Sequence, residues 1–267
     1  MKKILYTLVI TCSLSFTSCE DVIDLDLNQY EKRVVIDANI FVGENNFNKI
    51  RLYYSAPFYA TSYEYISTAN VTIKDLNTNI DYPFTYTSDG YYENNSFNPI
   101  VLNEYELNIS YDGKIYKAFS NVTQAPIIEN VEQINNAGFS GKDYEIRFYY
   151  QDDPNEEDYY LSQIKTIDEN EFNISNDQFT NGNLINDLYF AEEDQQGETL
   201  YFSLAKIDKD YYNYLNKMFS NAASAGNPFA TPTGTLKGNI SNTSDSNDFP
   251  LGYFHIAKRE SATHTIQ

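Results

Sequence analysis

Tryptophan is absent from this 267-residue chain, and cysteine, methionine and histidine occur only twice each. The two cysteines, Cys12 and Cys19, both fall near the N-terminus. The body of the chain therefore has no thiol, which excludes disulfide scaffolds and thiolate metal sites. Imidazole chemistry has only His255 and His264 to draw on, and no HExxH, GxSxG or Walker pattern occurs. Positive charge is scarce as well, with 18 Lys+Arg against 38 Asp+Glu and a formal net charge of -20. A surface so acidic repels phosphate backbones, so nucleic acid is excluded as a partner. The one long apolar run, Ile4–Phe16, is too short to cross a bilayer as a helix, which takes about 20 residues.

That run is nonetheless informative. Met1-Lys2-Lys3 followed by Ile4–Phe16 has the n-region and h-region of a secretory signal over residues 1–18. Thr17-Ser18-Cys19 then resembles a bacterial lipobox, in which Cys19 is acylated and becomes the mature N-terminus. Several acyl chains on one residue would hold the protein at a membrane, since each buried methylene contributes about 0.8 kcal/mol. Residues 19–29 read as an acidic tether, with Val22, Ile23, Leu25 and Leu27 set among acids.

Beyond the tether the pattern is all-β. In Arg33–Val42, Val34, Ile36, Ala38, Ile40 and Val42 share one face at period two. Similar runs recur at Ile50–Ser55, Val71–Leu76, Tyr82–Thr87, Tyr105–Tyr111 and Lys114–Phe119. Asp89-Gly90 and Asp112-Gly113 sit between them as hairpin turns. Residues 30–124 thus predict a β-sandwich of transthyretin-like or immunoglobulin-like type. Gln124-Ala125-Pro126 marks a boundary, and residues 127–258 predict a second β-rich domain, followed by a polar tail at 259–267. Its expected strands are Tyr144–Tyr150, Tyr159–Ile167, Leu184–Ala191, Leu200–Ile207, Leu236–Ile240 and Leu251–Ala257. One helix is predicted over about 209–223, capped by Asp208, with Tyr211, Leu215, Met218, Phe219 and Ala222 on one face.

Taken in order, these stretches resemble a known family. Cys19-Glu20-Asp21-Val22-Ile23-Asp24-Leu25, Arg33-Val34-Val35-Ile36, Tyr105-Glu106-Leu107 and Ala125-Pro126 carry the likeness in the first half. Thr199–Tyr214, the segment from Gly226 to Pro232, Gly238-Asn239-Ile240 and Leu251-Gly252-Tyr253-Phe254 carry it in the second. The family comprises the Bacteroidota outer-membrane lipoproteins grouped under domain of unknown function 4249. The resemblance implies an exterior lipoprotein that accompanies a TonB-dependent transporter, with no assigned chemistry, cofactor or metal.

Few residues are candidates for chemistry. The acidic run Asp152–Asp158 offers oxygen ligands for weak Ca²⁺ binding, yet lacks the alternation and central glycine of an EF-hand; a solvated loop is the simpler expectation. An acid pair of the glycosidase kind stays open among so many carboxylates. Tyrosine doublets at 53–54, 91–92, 149–150, 159–160 and 211–212 can place one ring on each face of a strand, and an outward Tyr can grip a partner or sugar. Filling ordinary sandwich positions is the simpler expectation, and the lack of Trp weakens a dedicated carbohydrate site further. The loop Ala223–Gly234 carries Phe229 as its one large apolar group, suited to sealing the helix or meeting a partner. The expected function is a non-catalytic binding or docking accessory. A structural or adhesive surface protein is the alternative, and a carboxylate-dependent hydrolase the third class.

Overall fold

Period-two alternation becomes strands almost wherever it occurs. In the computed structural model, which describes residues 31–43, 48–57, 60–138, 141–224 and 234–267, the first half forms β1 (Val34–Val42), β2 (Lys49–Tyr54), β3 (Asn70–Asp75) and β4 (Ile80–Tyr86). It continues with β5 (Tyr91–Glu93), β6 (Glu104–Tyr111) and β7 (Lys114–Asn121). The second half contributes β8 (Ile128–Ala137), β9 (Asp143–Gln151), β10 (Tyr159–Lys165), β11 (Asn170–Asn176), β12 (Leu184–Ala191) and β13 (Thr199–Ile207). Helix α1 (Lys209–Ser224), the short β14 (Ser241–Asn242) and the long β15 (Leu251–Thr265) complete the all-β architecture.

In the first unit, Ile36, Ala38, Ile40, Ile50, Leu52, Ile73, Leu107 and Ile109 are fully withdrawn from solvent in one core. A buried aliphatic side chain of this size contributes roughly 1.5–3 kcal/mol, so this core anchors everything built on its outside. Both predicted turns form with positive φ at each central residue, 49° and 81° at Asp89-Gly90 and 49° and 72° at Asp112-Gly113. That matches the twist of the flanking strands. At the start of β6 the buried Tyr105 hydroxyl accepts the Ile100 N–H at 2.9 Å, the device that pins the corner of many sandwiches.

The second unit sets a three-stranded sheet, ordered β12-β9-β8, against β10, β13 and the far half of β15. Phe148 stacks on Phe202 at 4.3 Å, and Tyr150 meets Tyr160 edge-on at 5.1 Å. The two units share one strand. β15 runs parallel to β1 from Leu251 to Lys258, then antiparallel to β13 from Arg259 to Thr265. Gly252 makes the close approach possible: at φ 97° a Cβ there would lie 2.0 Å from the Ile36 carbonyl oxygen.

This arrangement corrects three expectations. Residues 259–267 are no tail, because Arg259–Thr265 pairs along β13 and Ile266 is buried in the second core. The unit expected at 127–258 does not keep its last part, since Ile240, Phe254 and Ile256 belong to the first core. Leu236–Ile240 is not a strand; instead the Asn239 amide accepts the Phe254 N–H and donates to the Phe254 carbonyl, each at 2.9 Å. A side chain there does what a neighbouring strand would do. The helix forms as expected, with the Asp208 carboxylate accepting the Tyr211 N–H at 2.8 Å as its cap. Only the first half of its stripe is buried, however: Tyr211 and Leu215 are covered while Met218 and Ala222 are exposed.

Candidate functional site

The acidic run singled out from the sequence is not a uniformly solvated loop. Its middle, Asp153–Glu157, is exposed, but Asp152 and Asp158 are buried. Both accept hydrogen bonds from the Tyr160 hydroxyl. Asp152 also takes the Gly182 N–H at 2.7 Å, and Lys206 bridges Asp158 and Glu156. Burial pushes the Asp158 carboxyl up, against the pull of Lys206 and Tyr160. Burial works against the charge on Lys206, but Asp158 and Glu156 outweigh it and raise its pKa. These groups line a cleft of about 730 Å³ against the linker Thr123–Pro126. The buried acids are thus spent on internal partners, and among the described residues no group of three or more His, Cys, Asp or Glu is placed to hold a metal.

The histidines lie far apart in role. His255 is wholly buried beneath α1, its ring stacked on Tyr211 at 4.2 Å and its Nδ1 3.3 Å from Asp208 Oδ2. Burial would raise the Asp208 pKa, but the bond to His255 and the helix N–H groups outweigh it, and the net shift is downward. Sealed from solvent, His255 holds the helix to the sheet. His264 faces Gln133 at 2.7 Å, and burial lowers its pKa. The polar contacts of the two imidazoles are to Gln133 and Asp208, so nucleophile–base chemistry has no constellation among the described residues.

The groups that converge in the open lie on the outside of the first unit. Because β1 buries its even positions, Asp37, Asn39 and Phe41 project from the opposite face. Strand register then aligns Tyr253, Asp37, Arg51 and Tyr91 in one row across β15, β1, β2 and β5. Helix α1 walls this face on the β15 side, where Tyr211 and Tyr214 pack on Tyr253 at 4.8 and 4.9 Å. On the other side Tyr63 meets Tyr53 edge-on at 5.1 Å. Arg51 sits among three rings, 4.6 Å from Tyr91, 4.9 Å from Tyr65 and 5.7 Å from Tyr53. It donates to the Asp89 carbonyl at 3.0 Å and to the Tyr65 hydroxyl at 3.1 Å.

Asp37 occupies the floor of the resulting trough. It is exposed, yet desolvation by the surrounding protein raises its carboxyl pKa, while a 2.7 Å bond from Asn39 and the charge of Arg51 pull the other way. The phenols of Tyr53, Tyr211 and Tyr214 all feel its charge. Tyr53 is pushed up to about 12, by burial first and then by Asp37. These hydroxyls stay protonated and neutral at physiological pH.

Sequence reasoning found the rings at 53, 91 and 211 through their doublets but passed over Asp37, Asn39 and Arg51. The signal was available: in the first alternating run, the residues between the apolar positions are those on the open face. Of the doublets, 53–54 and 91–92 split between faces as expected, but Tyr159 and Tyr160 are both buried because α1 covers the outer side. Cys19 and Phe229, with most of the loop 223–234, lie outside the described residues.

A sheet of sandwich type with one helix laid across its outer face defines the class of this protein. The chain belongs to the family described as Domain of unknown function (DUF4249), whose model matches residues 20–263. No curated protein matches it. Among solved structures it is similar to a chicken interferon gamma receptor alpha chain at 10% identity, over 65% of this chain and 86% of that one. The TM-score of 0.21 is too low for that likeness to carry an argument.

Proposed function

We propose that the chain is a lipid-anchored surface protein of the outer membrane that binds rather than transforms its ligand, serving a TonB-dependent transporter. The observation that supports binding is the trough itself: an exposed carboxyl ringed by phenols, with His255, beside Asn39 in the strand register, wholly buried. The charge acting on Asp37 comes from Arg51. The anchoring part of the reading rests on Cys19 and its apolar leader.

Mass spectrometry of the processed N-terminus tests the anchor, with acylated Cys19 expected and a free thiol overturning it. Affinity purification of the tagged protein from detergent-solubilised outer membranes tests the partnership, with a stoichiometric β-barrel transporter expected. A purely adhesive role is the second reading. Leu184, Leu188 and Phe190 favour it, forming an exposed apolar stripe on the outward face of the edge strand β12. Capture of matrix or partner cells with no transporter would select that reading.

A further inference from the structure

The geometry points to a neutral saccharide as the ligand of the trough formed by Asp37, Asn39, Arg51, Tyr53, Tyr63 and Tyr214. This rests on reading the trough as a binding surface and adds the chemistry of what it holds. Tyr63 is 53% exposed and meets Tyr53 edge-on, which leaves ring surface free for the C–H face of a pyranose. Asp37, held by a hydrogen bond from Asn39, presents carboxyl oxygen to ring hydroxyls, whereas the Asn39 amide oxygen is itself buried.

Other ligand classes fit less well. An anion would have to use Arg51, whose guanidinium is already engaged by three rings, the Asp89 carbonyl and the Tyr65 hydroxyl. A chain of net charge -20 also repels anions at long range. A cation would meet Arg51 directly opposite Asp37 in the strand register. An extended peptide binds by adding to a free sheet edge, but β1 is flanked by β15 and β2, and β2 by β1 and β5. A polyhydroxylated neutral ring uses the flat rings and the Asp37 carboxyl without itself carrying a charge or needing an edge.

The test is a saccharide array probed with the full processed protein in detergent. The array carries neutral gluco-, xylo-, manno- and galacto-oligosaccharides beside acidic oligogalacturonate and casein-derived peptides. At least one neutral series is expected to bind, and the acidic series and the peptides are not. Tyr63→Ala and Asp37→Ala should each weaken that binding tenfold or more while the far-UV circular dichroism of the folded protein stays unchanged. Asp37→Asn, which keeps an acceptor oxygen, should retain part of it. No neutral saccharide bound, peptides bound instead, or binding indifferent to both alanine variants would overturn the inference. Transporter co-purification without saccharide binding would sink this inference alone. Saccharide binding without a transporter would support it and remove the transporter from the proposed function.

Discussion

Asp158 and Asp37 are both carboxyls that burial pushes up, yet they stand in opposite situations. Asp158 is closed off at the junction of the two units, with Tyr160 and Lys206 supplied to it by the chain. Asp37 is open to solvent, and its near neighbours are phenols, one amide and an arginine already committed elsewhere. A charge withdrawn from water needs partners. Where the fold supplies them the acid is structural; where desolvation occurs at an accessible position, a ligand can complete the set.

The sharpest way to break this comparison is to take a partner from the sealed acid. Lys206→Met leaves Asp158 buried without its cation and should cost about 3 kcal/mol in urea unfolding, the range for a broken buried pair. An effect near zero would mean the junction acid is not structural. Tyr160→Phe removes the one hydroxyl that serves both Asp152 and Asp158 and should cost about 2 kcal/mol by the same measurement. On the open side, pH separates the cases. The raised Asp37 pKa means the folded state holds that proton more tightly than the unfolded chain, whose value is near 3.8. Its contribution therefore favours folding at low pH and declines as pH rises from the unfolded value through the folded one. Asp37→Asn should flatten that decline in a thermal midpoint series, and an unchanged slope would remove Asp37 as its source. The smallest effect belongs to Tyr63→Ala, which should change stability by less than about 0.5 kcal/mol, as exposed substitutions do. A larger loss would make Tyr63 part of the scaffold rather than of the trough.

The fold was largely legible because its dominant signals are local. Val34, Ile36, Ala38 and Ile40 alternate, the Asp-Gly pairs accept positive φ, and Asp208 precedes a helical stripe. What escaped was polar. β8 and β11 carry few apolar residues and lie at sheet edges, so backbone pairing rather than burial makes them strands. The far half of β15 escaped for the same reason, since Glu260–Thr265 has no alternating apolar face to announce it. Asp37 and Arg51 occupy the ordinary polar side of their strands; only register with β15 and β5 turns them into one row with Tyr253 and Tyr91.

Residue order alone settles the all-β class, the helix and its cap, the acidic character and the family. Those depend on periodicity and turn chemistry within a few neighbouring residues. Tertiary structure decides which acids are sealed and which is open, and that one C-terminal strand joins both units. Each of these requires segments from opposite ends of the chain, such as Val35 and Leu251, to lie side by side. No short-range pattern encodes that pairing, because its free energy comes from a core assembled only when the whole chain has folded.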